Sequence, residues 1–128
     1  MTKILIVDDY ERTQILFSEV FMDEGYDVLS SEDASGVMEM IDQMNPDLVV
    51  MEIDLQAYDG LDILQNIRKS HYDLPVILWT ASPYFKGDPR VIAADYCVFK
   101  SADMEELKKK VEMALECSTP LLLKTMLN

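Results

Sequence analysis

Lys3-Ile4-Leu5-Ile6-Val7-Asp8-Asp9 is a run of strand length, apolar from Ile4 to Val7, that ends on two adjacent carboxylates. An apolar run without polar alternation fits a strand buried on both faces, as in a parallel sheet covered by helices. Val49-Val50-Met51-Glu52-Ile53-Asp54 repeats the arrangement with a second acidic end. In an open α/β sheet the C-terminal ends of parallel strands line one crevice, so these groups converge where such folds bind ligands. Clustered carboxylates repel each other and need a counter-charge, for which a divalent cation with oxygen ligands is the natural partner.

Outward from these two runs, segments of strand length alternate with segments of helical period. After a first strand at 3–7, Leu16, Phe17, Val20 and Phe21 give an apolar helical stripe that closes at Gly25 as C-cap. A short second strand falls near residues 26–29. Asp33 is an N-cap candidate for a helix carrying Val37, Met38, Ile41 and Met44 on one face, and Pro46 stops it before a strand at 48–52. The next helix opens at Asp59-Gly60 and turns Leu61, Leu64 and Ile67 inward. Residues 75–80 form a fourth strand and 96–99 a fifth. A last helix begins near 101–103 and carries Leu107, Val111 and Leu115, with Glu105 and Glu106 four residues before Lys109 and Lys110, a charge order that suits its dipole. The alternation predicts an α/β fold: a doubly wound, flavodoxin-like parallel sheet of five strands, order 2-1-3-4-5, with helices on both faces.

Composition narrows the function. With 128 residues the chain is one domain with room for a core, expected over 1–117 with an apolar tail at 118–128. Hydrophobic residues make up 49% and charged ones 27%, a globular balance, and no apolar run approaches the ~20 residues that span a bilayer. Membrane insertion is therefore not expected. The start, Met-Thr-Lys running straight into a strand, lacks a secretory leader, so the expected location is cytoplasmic. Cys97 and Cys117 have no metal-ligand spacing and read as inert thiols. A net charge of −13 argues against direct nucleic-acid binding, which rests on Lys and Arg neutralising phosphates. A metal or protein partner suits this charge better.

At the strand ends stand Asp8 and Asp9, Glu52, Thr80 and Lys100. Three carboxylates, a hydroxyl and an ammonium group suit phosphoryl chemistry: Mg²⁺ on the acids offsets phosphate charge, while Thr and Lys bind the remaining oxygens. Singly, an Asp-Asp pair is a solvated turn, a Thr after an apolar strand a packing residue, and a Lys before a helix a surface charge. In this order at successive strand ends they read as one site.

With those residues in place the chain resembles the receiver domains of bacterial two-component response regulators, from residue 3 to about 115. The matching motifs are ILIVDD with Asp8-Asp9, PDLVVMEI followed by Tyr58-Asp59-Gly60, PVILWTA with Thr80-Ala81, and VFKSADMEEL with Lys100. The resemblance implies that a sensor histidine kinase or phosphotransfer protein donates phosphate to an Asp at the end of strand three. It also implies Mg²⁺ held by the residue at that position (Glu52), by Asp8 and Asp9, and by the backbone carbonyl of Asp54. Thr80 would be the switch hydroxyl and Lys100 the partner of phosphate or carboxylate. An unidentified output protein would read the switch.

The departures from the family pattern are as informative. The acceptor position is Glu52, one methylene longer than Asp, and in-line transfer is sensitive to misplacement of about 1 Å. Glu52 could reach toward Thr80 and Lys100 in partial imitation of a phosphorylated Asp, with one charge where a phosphoryl group carries nearly two; or it could pair with Lys100 and fix an inactive state. Asp54 is a third option as acceptor, provided the strand persists so that both side chains point one way. Cys97 replaces the aromatic common three residues before the Lys, and Ser101 replaces the Pro after it, so a cis peptide there loses its favourable residue. Two prolines and a glycine between Thr80 and Lys100 predict a fourth helix that is short or absent.

Trp79 reads as core, His71 as a solvated loop residue, and the nine methionines as adaptable core filling. The tail after Pro120 either folds back on the domain or buries itself against another subunit, as in a homodimer, or against a partner. The expectation is a stand-alone, non-enzymatic receiver domain of phosphorelay signalling. Its rivals are a degenerate receiver working through protein contacts alone and, from the Glu52-x-Asp54 spacing, a Mg²⁺-dependent phosphatase.

Overall fold

Strand β1 (Lys3–Val7) pairs in parallel with β2 (Asp27–Ser31) on one side and β3 (Leu48–Met51) on the other, setting Ile6 opposite Ser30 and Val50. The computed structural model describes residues 1–31, 33–82, 87–101 and 104–117. Its remaining elements are α1 (Glu11–Asp23), α2 (Val37–Met44), the two-residue strands β4 (Asp54–Leu55) and β5 (Tyr58–Asp59), α3 (Gly60–Ser70), β6 (Val76–Thr80), β7 (Tyr96–Phe99) and α4 (Glu105–Cys117). The main sheet runs β2-β1-β3-β6-β7, all parallel, and counted by its own strands this is the expected order 2-1-3-4-5.

Successive residues of a strand point to opposite faces, so each central strand feeds two cores. Leu5, Val7, Val49, Met51, Val76 and Leu78 pack with α2 and α3. Ile4, Ile6, Leu48, Val50, Ile77 and Trp79 pack with Phe17 and Phe21 of α1 and with Leu107, Val111 and Ala114 of α4. Each layer hides the strands' backbone from water, which is why the sequence shows apolar runs without alternation.

Several boundaries and faces depart from expectation. β2 begins at Asp27 and runs to Ser31, later than the Tyr26 start read from the sequence. β3 stops at Met51, and the chain folds into the β4–β5 hairpin, so the strand that would have set Asp54 beside Glu52 does not persist. On α1, Leu16 is 46% exposed and Gln14 is buried instead. Asp33 caps a single 3-10 turn at Ala34–Gly36 before α2. His71 is half-buried, its Nε2 2.7 Å from Asp42, rather than a solvated loop residue. Of the methionines Met51 is fully buried and Met38, Met40 and Met104 pack partly buried against the two cores, while Met1, Met22 and Met44 are exposed, so core filling describes some of them and not others. α4 is assigned from Glu105, and Lys108, rather than the expected lysine pair, bridges Glu105 and Glu24.

Among the described residues between β6 and β7 the longest helical element is the five-residue 3-10 turn Pro89–Ala93, in keeping with the prolines. Arg68 of α3 fixes the end of this turn and the chain beyond it: Nε donates to the Ala93 carbonyl at 2.7 Å, Nη1 to the Leu74 carbonyl at 2.6 Å, and Nη2 meets Asp95 at 2.9 Å. Asp95 in turn accepts from the Val76 backbone at 2.8 Å, tying this turn to the start of β6. No described helix is long and apolar enough to cross a membrane. The tail at 118–128 lies outside the described residues, as do 102 and 103, where the last helix was expected to begin.

Candidate functional site

The parallel register brings the ends of β1 and β3 together: the Glu52 backbone N–H donates to the Val7 carbonyl at 3.0 Å, and the Lys100 N–H to the Thr80 carbonyl at 2.8 Å. Lys100 therefore leaves the end of β7 beside β6 and reaches across to both acids. Its Nζ lies 2.7 Å from Asp8 Oδ2 and 2.9 Å from Glu52 Oε1. The ammonium also sits 5.3 Å from the Trp79 ring centroid, within range of a cation–π contact.

Each carboxylate has its other oxygen engaged. Asp8 Oδ1 accepts from the Tyr10 N–H at 2.9 Å. The additional methylene of Glu52 lets its carboxylate turn back, so Oε2 accepts from the Ile53 N–H at 2.7 Å and, more weakly, from the Asp54 N–H at 3.4 Å. Asp8 is 1% exposed, and burial pushes its carboxyl above the usual Asp range even though Lys100 and the Tyr10 N–H pull it down. Burial would lower the Lys100 ammonium, but its bonds to Asp8 and Glu52 raise it above the ordinary lysine value.

Of the residues singled out in the sequence, Asp8, Glu52 and Lys100 are thus joined in one triad. Asp9 lies to one side, where its Oδ2 accepts from the Gln56 N–H at 2.7 Å and holds the hairpin. Asp54 is exposed at the hairpin's start. Thr80 is fully buried, and its Oγ1 accepts from the Ser82 N–H at 3.1 Å rather than engaging Glu52 or Lys100. Cys97, at the expected aromatic position, is half-buried against the core, and burial pushes its thiol up. The described residues contain no cis peptide bond, so the Lys100–Ser101 link is trans.

The oxygen donors Asp8, Asp9, Glu52 and the Asp54 carbonyl have the right hardness for Mg²⁺. Their arrangement does not fit one: among the described residues no three acidic, His or Cys side chains converge as a metal site, and Lys100 stands between Asp8 and Glu52.

Three features were not found by sequence reasoning. Gln14 reaches from α1 to donate to the Asp8 carbonyl and, at 3.4 Å, to that of Ser31, joining β1 and β2 behind the site. Gly60 packs where a Cβ would lie 2.4 Å from the Glu52 carbonyl oxygen. Arg90, in the 3-10 turn, clasps Asp59 at 2.9 Å, Asp62 at 2.5 Å and Asp88 at 2.7 Å. A groove of about 980 Å³ opens beside the triad, lined by Asp9, Tyr10, Arg12, Asp54, Tyr58 and Arg90 among others but not by Asp8, Glu52 or Lys100.

The Arg90 clasp gives a first testable prediction. Its groups are partly exposed, so Arg90→Ala should leave global stability close to the parent's. The same change should accelerate amide exchange at Val91 and Ala94, whose N–H groups close the 3-10 turn onto Asp88 and Val91. Unchanged exchange there would show that the clasp is not what holds the turn.

Comparison with known proteins gives a consistent picture. The family model described as response regulator receiver domain matches residues 4–112. Among curated proteins the chain is similar to sporulation initiation phosphotransferase F of Bacillus subtilis (strain 168), 34% identical over 79 residues, or 62% of this chain. It is also similar to regulatory protein AtoC of Escherichia coli (strain K12), 29% identical over 119 residues, or 91% of this chain. The matches span 64% and 26% of those two relatives' lengths. Among solved structures, response regulator protein TrrA from Thermotoga maritima in complex with Mg²⁺-BeF superposes with a TM-score of 0.86 at 34% identity, covering 89% of this chain and 99% of that one. TrrA in complex with histidine kinase ThkA gives 0.84 at 35% identity, with 90% and 99% covered.

Proposed function

The chain belongs to the response regulator receiver domain family of two-component phosphorelay signalling, and from that membership we propose that it is a receiver module whose acceptor-position carboxylate, Glu52, is held by Lys100 instead of being phosphorylated. The observation that carries this reading is the bridge from Lys100 Nζ to Glu52 Oε1 at 2.9 Å, with Oε2 turned onto the Ile53 N–H. Of the two outcomes open to a glutamate here, the pairing favours the fixed one. Thr80, which would have to turn toward a phosphoryl group, stays bonded to the Ser82 N–H.

A carboxylate with both oxygens engaged is a poor nucleophile toward a phosphodonor. It would have to break a charge-assisted bond to Lys100 and swing into line before a P–O bond could form as the donor's P–O bond breaks. The signal is then carried by protein contacts. Partners of the right chemistry are a sensor histidine kinase or phosphotransfer protein on the input side, in keeping with the ThkA complex of a structural neighbour, and an output protein that reads the exposed face. Such partners would meet the chain in the cytoplasm, and its charge of −13 disfavours nucleic acid. The family is a signalling one and no turnover is proposed: a phosphatase of the Glu52-x-Asp54 kind would rely on an aspartate nucleophile, and the first carboxylate here is a glutamate held by Lys100.

Incubating the chain and its Glu52→Asp variant with acetyl phosphate and Mg²⁺, followed by intact-mass measurement, tests this. The parent should stay unmodified while the variant gains one phosphoryl group. A phosphorylated parent would overturn the reading and return the chain to ordinary relay function.

A further inference from the structure

We propose that in this chain the Lys100 ammonium takes the place of a divalent cation, leaving the acidic site charge-compensated from within and indifferent to Mg²⁺. The inference rests on the reading of Glu52 at the acceptor position and extends it from phosphorylation to metal binding.

Two carboxylates at the end of adjacent buried strands need a positive partner, and here the partner is covalently part of β7's end. The ammonium is fixed from three sides, by Asp8 at 2.7 Å, Glu52 at 2.9 Å and the Trp79 ring at 5.3 Å. Three further carboxylate oxygens on which a metal could draw already accept backbone N–H groups. Asp8 Oδ1 takes the Tyr10 N–H, Glu52 Oε2 takes the Ile53 N–H, and Asp9 Oδ2 takes the Gln56 N–H.

Glu52 is what closes this arrangement. Its longer side chain supplies one oxygen to Lys100 while the other folds back onto the backbone of the next residue, a bend for which an aspartate is one methylene too short. To bind here Mg²⁺ would have to shed water and displace Lys100 from both acids, and Mg²⁺ gives up its water reluctantly. With aspartate at this position Lys100 would keep its bond to Asp8 but be held less firmly from residue 52, so that the ammonium should yield to a cation.

The test is thermal unfolding of the full chain, with Trp79 emission as a second readout, in chelator and at about 10 mM Mg²⁺. A ligand that binds only the folded state must raise the melting temperature. The parent should shift by less than about 1 °C and keep its emission, whereas Glu52→Asp should be stabilised by Mg²⁺ and change its emission. Lys100→Met gives a second arm, destabilised in chelator and rescued by Mg²⁺; where it does not fold, the Glu52→Asp pair decides. Stabilisation of the parent by Mg²⁺ would overturn the proposal, and so would a Glu52→Asp variant blind to the metal, since the missing site would then not trace to the glutamate bridge. The mass measurement on the same pair of chains fails independently: a parent that binds Mg²⁺ yet stays unphosphorylated sinks only this inference, while a phosphorylated parent sinks the reading beneath it.

Discussion

Lys100→Met is expected to lower folding stability by about 3 to 5 kcal/mol at neutral pH, the range for removing one partner of a buried ion pair. Methionine keeps an unbranched stem to pack against Trp79, so the loss reports charge more than volume. Asp8 is 1% exposed and the Glu52 side chain 10%, so two carboxylates would remain side by side with neither water nor ammonium to balance them. The pH dependence comes from Asp8. Its folded value already stands above the usual 3.8, so the folded state takes up this proton more readily than the unfolded chain, and acidification favours folding from the raised value down to 3.8. Without Lys100, whose bond lowers that value, the raised window widens, and the deficit of the variant should shrink as pH falls through it. Urea denaturation at neutral pH and near pH 5 measures both effects. A loss below about 1 kcal/mol at neutral pH would class the bridge with ordinary surface pairs and remove the basis for a fixed Glu52.

The fold was readable because its signals are local. Apolar runs at 3–7, 48–51 and 76–80 need no long-range knowledge to be taken as buried strands, and Asp59-Gly60 announces α3 by N-cap chemistry that the Asp59 bond to the Leu61 N–H, 2.9 Å, bears out. The strand ends where Asp8, Glu52, Thr80 and Lys100 stand are legible for the same reason. Their pairing is not. Lys100 meets Asp8 across 92 positions of sequence and Glu52 across 48, and whether Glu52 bends toward Lys100 or Thr80 is a rotamer choice that spacing does not encode.

The remaining differences between sequence and structure have physical causes of the same kind. The β4–β5 strands are two residues each, too short to show a period, so the hairpin between the strand at 48–52 and the helix at Asp59-Gly60 goes unread. Gln14 escapes notice because a buried polar residue on an apolar helix face looks like the solvent face until its partners, the Asp8 and Ser31 carbonyls, are known. Hydrophobicity alone turns Leu16 inward, yet exposed leucines are common. Arg90 reaches back 31 and 28 residues to Asp59 and Asp62, and nothing in the intervening sequence marks those acids as its partners.

Gly60→Ala is expected to cost about 3 kcal/mol or more, beyond the usual penalty of an added methyl group, because the atoms it meets are backbone. A Cβ there would stand 2.4 Å from the Glu52 carbonyl oxygen, 2.8 Å from Ile53 Cα and 3.0 Å from the Ile53 carbonyl oxygen, and none of these can rotate away as a side-chain tip could. Recoil of α3 is opposed from its own side. The Gly60 N–H donates to the Ile53 carbonyl at 2.8 Å, and Asp59 both caps the helix and is gripped by Arg90. The strain must therefore pass into residues 52–54, where the Ile53 and Asp54 N–H groups hold Glu52 Oε2. The variant should lose the Glu52–Lys100 bridge along with its stability, so Trp79 emission should change in the folded fraction as well as at the unfolding midpoint. Gly36→Ala is the control: Gly36 has φ −94° and nothing within 4 Å of an added Cβ, so its stability should stay within about 1 kcal/mol of the parent. Equal stability of the Gly60 and Gly36 variants in urea would mean that the close approach of α3 to the Glu52 backbone does not exist in solution, and the account of how this site is positioned would fail with it.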